Sequence, residues 1–138
     1  MRPIVLGEVP VEDLARRLVA DSDGDWELEA AARLLIEHGK WLQDSLFYRF
    51  ILINDREGVF VDWASVANSL REDSVVGSHE DVVVLKVAAS ICHQLDAAVW
   101  EIYNLSPLAM RAIMRALAVA AGYGDRVDQW CPLEVGAG

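Results

Sequence analysis

Residues 78–93 read SHEDVVVLKVAASICH, and their reading decides the fold. Ser78 with Asp81 three positions on is a capping arrangement, so a helix is predicted from His79 to about His93. Val82, Val83, Val84, Leu85, Val87, Ile91 and Cys92 cover most directions around its axis. Only His79, Lys86, Ser90 and His93 form a polar stripe, and it is narrow. A helix that is apolar nearly all round belongs at the centre of a fold. Three consecutive valines lower helix propensity through their stiff χ1 angles, so a strand beginning there is the alternative.

Downstream, Ser106-Pro107 is a strong helix start, with Ser as N-cap and Pro in the first turn. The predicted helix runs from Pro107 to about Ala121, and Gly122 and Gly124 end it. Met110, Ile113, Met114 and Leu117 are read as its core stripe. Ala109, Ala112, Ala116 and Ala120 form a ridge of small residues that lets another helix approach closely, within the core or in a dimer. A short helix is expected from Asp96 to Tyr103.

Upstream, Pro10 opens a first helix carrying Val11, Leu14, Leu18 and Val19 on one face. The run DSDGD at 21–25 breaks it, and Asp25 is placed to cap a second helix. There Leu28, Ala31, Ala32, Leu35 and Ile36 recur at helical spacing, Glu29, Arg33 and Glu37 step by four on the opposite face, and Gly39 closes the helix. Residues 44–53 (DSLFYRFILI) read as a helix capped by Asp44 and burying Leu46, Phe47, Phe50 and Ile51. The alternative is a hairpin, because ILI and VFV flank the polar NDREG. Asp62 is expected to cap a further helix with Trp63, Val66, Ala67 and Leu70 on one face.

The expected fold is therefore all-α: a single domain of five or six short helices around a central apolar pair at 79–93 and 107–121, with a short strand or hairpin near 50–62 as an option. Residues 1–124 form the helical domain, and 125–138 form a tail without period, expected to be loosely ordered unless Trp130 docks.

Composition narrows the functional classes. At 138 residues and 54% hydrophobic content the chain can fill one real core. No apolar run approaches the roughly 18 residues of a membrane span, and Ile4–Leu6 is too short for a signal-peptide core, so a cytoplasmic protein with no membrane partner is expected. The net charge of −10 is uneven: 17 acidic against 8 basic side chains in 1–81, and 5 against 4 in 82–138. Such a surface repels nucleic acid, whose phosphates need clustered Lys and Arg. Ten of the twelve basic residues are Arg, which together with abundant Ala, Val and Leu suggests a GC-rich genome.

RLLIEHGKWL at 33–42, VDWASV at 61–66, VLKVAASI at 84–91 and MRAIMRALAVAAG at 110–122 resemble segments of a family of small helical proteins from high-GC Gram-positive bacteria. The resemblance covers about 26–122 and implies a helical fold. It implies no activity and supplies no catalytic residues.

The candidate sites each have a plain structural reading beside the functional one. Asp21, Asp23 and Asp25 suggest calcium, but an EF-hand loop begun at Asp21 would need Gly and Glu where Trp26 and Ala32 stand. A solvated loop with a helix cap accounts for them, and no metal or cofactor is expected. His79, Lys86, Ser90 and His93 form an edge that would face a cleft in a small enzyme or ligand-binding protein. They equally supply the one polar edge that a buried helix needs. His79 and His93 stand 14 residues apart on the helix, about 21 Å, too far to share a metal. Cys92 and His93 diverge by about 100°, so Cys92 reads as inert core. A bridge from Cys92 to Cys131 has no secretory context to favour it. His38 is expected to complement the end of the second helix. Residues 96–121 loosely fit a helix-turn-helix with Arg111 and Arg115, thin footing on a duplex for an acidic chain. Of five tryptophans, Trp26 and Trp130 are the candidate exposed contact residues, with packing against a neighbouring helix as the structural alternative.

The first functional expectation is a non-catalytic protein–protein interaction or regulatory domain, binding itself or another protein. The alternatives are a small enzyme or ligand-binding protein using the 79–93 edge, and an acidic decoy of DNA or of a basic partner.

Overall fold

The computed structural model describes residues 1–22, 24–93, 95–97 and 99–130. The chain is mostly helical, with a small antiparallel sheet at one end. In chain order the elements are β1 (Arg2–Pro3), α1 (Val11–Ala20), α2 (Trp26–His38), β2 (Ile51–Ile53), β3 (Val59–Val61), α3 (Trp63–Arg71), α4 (His79–Cys92), α5 (Pro107–Ala120) and α6 (Val127–Trp130). Single 3-10 turns occupy Trp41–Gln43, Phe47–Phe50 and Val99–Ile102.

The expected pair, α4 and α5, is present, and α2 is the third, shared member: both helices pack along it more extensively than along each other. End contacts fix the directions. At the start of α2, the Cys92 thiol donates to the Glu27 carbonyl at 3.3 Å. At its end, His38 Nε2 lies 3.0 Å from Asp81 Oδ1 at the start of α4. Trp26 lies against Gly122, just past the end of α5. α2 is thus antiparallel to both neighbours. The starts of α4 and α5 are tied together, because Glu80 accepts from the Ser106 backbone N–H at 2.6 Å and its hydroxyl at 3.2 Å.

The caps follow the side chains read above. Asp25 accepts from the N–H groups of Glu27 and Leu28, both at 3.0 Å. Ser78 accepts from Asp81 at 3.1 Å and Ser106 from Ala109 at 3.2 Å. Gly39 ends α2 at φ 80°, the left-handed conformation that favours glycine.

At 44–53 the hairpin prevails over the expected helix. Asp44 does start a turn, accepting from the Leu46 N–H at 2.9 Å, but the turn ends at Phe50. Ile51, Leu52 and Ile53 then pair with Val61, Phe60 and Val59. The turn is held by Asn54, whose side chain accepts from Arg56 and Gly58 at 2.9 and 2.8 Å. β1 adds a third strand that the sequence reading lacked. Asp21 ties the sheet to the end of α1 by accepting from Val59 at 2.6 Å. Ile51 and Val59 are fully buried beneath it.

Three core assignments are corrected, the first being Leu46, which is exposed at 63%. Leu28 is exposed, and the buried side chains of α2 are Ala30, Ala31, Ala32, Leu34 and Leu35, spread round the helix because it is covered on more than one side. On α5 the buried face is Ala109, Ala112, Ile113, Ala116 and Val119. Met114 and Leu117 face solvent, at 51% and 49% exposure. The expected helix at 96–103 is a single 3-10 turn in its described part.

Candidate functional site

Two clefts and one helix face stand out. The larger cleft, about 470 Å³, lies between α2, α5 and the C-terminal turn. Trp26 forms one wall, 60% exposed. Gly122 allows that placement: a Cβ there would stand 2.6 Å from the indole ring, and its φ of 90° is unfavourable for other residues. On another side is Arg115, the only buried ionised side chain among the described residues, at 7% exposure. Its Nε donates to Glu37 at 2.9 Å and its Nη2 to Asp128 at 3.0 Å. Burial opposes its charge, but the bonds to Glu37 and Asp128 outweigh burial and hold its pKa above the ordinary value. Glu37 is thereby drawn away from the ladder expected along α2, where only Arg33 and Glu29 approach, at 3.6 Å.

The second cleft, about 360 Å³, opens where α2 ends and α4 and α5 begin. His38, Asp81, Glu80, Ser106, Leu108 and Arg111 are among its walls. His38 is largely buried and joins α2 to α4 through Asp81, a cross-helix role beyond the local one expected.

The edge His79, Lys86, Ser90 and His93 does not converge on either cleft. His79 is exposed at the start of α4, and His93 is exposed as its C-cap. Lys86 pairs with Glu101 at 3.3 Å. The Ser90 hydroxyl donates to the Val87 carbonyl at 2.9 Å, within its own helix. Asp21 and Asp25 carry the three backbone contacts given above, and Asp23 lies outside the described residues. Among the described residues no three His, Cys, Asp or Glu side chains are grouped to hold a metal ion.

Burial, and after it the negative charges of Asp25 and Glu27, push the Cys92 thiol up to about 12. At neutral pH it is therefore protonated, and it is not a nucleophile. Cys131 lies outside the described residues.

Trp26 and Trp130 are both exposed, Trp130 at 56% and tilted against Tyr123 with 5.0 Å between ring centroids. Trp130 belongs to α6, which Val127, buried, and Asp128, bound to Arg115, attach to the body. Residues 131–138 of the expected tail lie outside the described residues. The sequence reading missed Trp100, which is 68% exposed beside Val99 and Tyr103 at 64% and 68%.

The helix face is the outer side of α5. Pro107, Met110, Met114, Leu117 and, just past the helix, Ala121 occupy positions i, i+3, i+7, i+10 and i+14. All are exposed except the half-buried Met110. This is the strict 3-4 spacing of a coiled-coil seam, about 21 Å long at 1.5 Å per residue. Of the core stripe expected on this helix, Ile113 is buried, whereas Met114 and Leu117 belong to this outer row.

Compared with family models, with curated proteins and with solved structures, the chain matches none. No helix among the described residues is long and apolar enough to cross a membrane.

Proposed function

We propose that this chain is a non-catalytic protein–protein interaction or regulatory domain whose contact surface is the outer face of α5. The observation that carries the reading is the exposure of Met114 and Leu117, 51% and 49%, within a continuous apolar row on a helix whose small residues are turned inward. An aliphatic row in solvent forgoes about 25 cal/mol for each Å² left uncovered. A partner helix would recover it in the helix-in-groove manner. Met suits such a surface because its flexible thioether adapts to different partners. The clefts support the reading from the other side. Several of their polar groups are engaged in tying elements together: Arg115 with Glu37 and Asp128, His38 with Asp81, Glu80 with Ser106.

The test is a paired capture from host lysate, with the wild-type chain and the Met114→Glu/Leu117→Glu chain as baits. Proteins retained by the first and lost from the second, this chain included, support the reading. Equal recovery on both baits moves the contact surface elsewhere on the molecule.

A further inference from the structure

We infer that the occupant of the α5 seam is a second copy of this chain, docked stripe to stripe. The inference rests on the reading of α5 as a contact face and adds the identity of what covers it. Two independent features lead to it.

The first is charge. The chain carries −10, so two copies repel each other over most of their surfaces. Residues 1–81 hold 17 of the 22 acidic side chains, whereas 82–138 hold 5 acidic and 4 basic ones. Across α5 itself, Pro107 to Ala120, there is no acidic residue. Arg115 is buried on the inner side, and the other ionisable group of α5 is Arg111, half-buried. The outer face of α5 thus brings no carboxylate of its own to a contact between two copies. A basic foreign partner would gain by contacting the acidic residues of 1–81 and would gain nothing electrostatic from this helix.

The second is self-complementarity. An isologous contact needs a surface that fits itself. A single row of Met and Leu at 3-4 spacing does so, because each knob is matched by holes of the same composition on the facing helix. The inner Ala ridge is unavailable, being filled by the molecule's own packing. A symmetric pairing also places every seam residue in the interface twice, so one substitution acts from both sides.

The experiment is sedimentation velocity on the full chain from low micromolar to submillimolar concentration. Wild type is expected to move from 15.3 kDa toward twice that mass as concentration rises. Met114→Glu and Met114→Lys chains should each associate roughly tenfold or more weakly, since like charges then face each other across the seam. Their thermal transitions should stay close to wild type, showing that both fold. An equimolar mixture of the two should recover association, because Glu then faces Lys. That recovery is specific to stripe meeting stripe. A wild-type chain monomeric throughout would overturn the inference, while stripe-dependent capture of a foreign protein would leave the interaction reading intact. A wild-type dimer whose Glu and Lys variants still associate alone, or do not recover on mixing, would also overturn it, by placing the contact elsewhere.

Discussion

The two faces of α5 share one backbone and differ in chemistry. The inner face carries Ala109, Ala112, Ile113, Ala116 and Val119, all buried. The outer face carries Met110, Met114 and Leu117, the larger and more flexible side chains. Size alone would place them the other way round. What decides is backbone separation. α2 is small-residue too, with Ala30, Ala31 and Ala32 buried round its axis, and Gly122 admits the Trp26 ring where a Cβ would stand 2.6 Å away. Small residues on both helices allow a close approach, and close packing recovers dispersion contacts along the whole length. Once the backbones are that near, Met and Leu cannot fit between them and must point outward. An interior is thus defined by fit, and hydrophobicity left over by that fit marks a surface for something else.

The largest effect should come from hollowing the inner face. Ile113 is 1% exposed, so Ile113→Ala leaves a cavity and should cost about 2–5 kcal/mol, read as a fall in the urea midpoint at unchanged slope. If the loss is under 1 kcal/mol, the inner face is not close-packed and the contrast fails. Ala116→Leu tests the same face by crowding. Ala116 is 1% exposed, and the added carbons would push α5 off α2 at about 1–3 kcal/mol. A neutral result would mean that the two helices have room to spare.

These two positions also show how much of the fold was legible in the sequence. Helix starts were, because Asp25, Ser78 and Ser106 each satisfy backbone donors within three residues and need nothing from the rest of the chain. The hairpin was present as an alternative to helix at 44–53, and the choice was lost because Phe47–Phe50 really does begin a helical turn. Its partners β1 and Asp21 lie 30 residues or more away in sequence, outside the reach of local pattern. On α5 the expected stripe holds at Ile113 and fails at Met114 and Leu117, since periodicity gives a row but not the side on which a neighbour stands. Trp100 was missed because 96–103 reads as a short helix, whereas its described part is a single 3-10 turn with no buried residue. The Glu37–Arg115–Asp128 cluster joins residues 78 positions apart and had no sequence signal.

Arg115 supplies an intermediate effect, because it is the inner face's one charge. Arg115→Met keeps the length and removes both ion pairs. A fully buried pair broken this way costs about 3–5 kcal/mol. Here the Glu37 and Asp128 side chains are 21% and 79% exposed and water can solvate them, so about 1–2 kcal/mol is expected. Because Asp128 belongs to α6, hydrogen exchange at Val127–Trp130 should quicken more than exchange in α2. Uniform quickening would mean that Arg115 supports the core as a whole and does not hold the C-terminal turn in particular.

The smallest effect belongs to the outer face and is the sharpest test of the contrast. Leu117 is 49% exposed and stands four residues from Ile113 on the same helix. Leu117→Ala removes a side chain of nearly the same size as Ile113→Ala does, and it puts Ala, the best helix former, in its place. In the isolated chain at low concentration the cost should be within about 0.5 kcal/mol, several-fold below that at Ile113. The same substitution should matter more as concentration rises, because a seam that is covered in the dimer then loses buried apolar surface on both copies. A loss at Leu117 that is small in dilute solution and grows with protein concentration is what an interface predicts. A loss that is large and independent of concentration would mean that Leu117 supports the fold itself, and the outer face of α5 would then be part of the core.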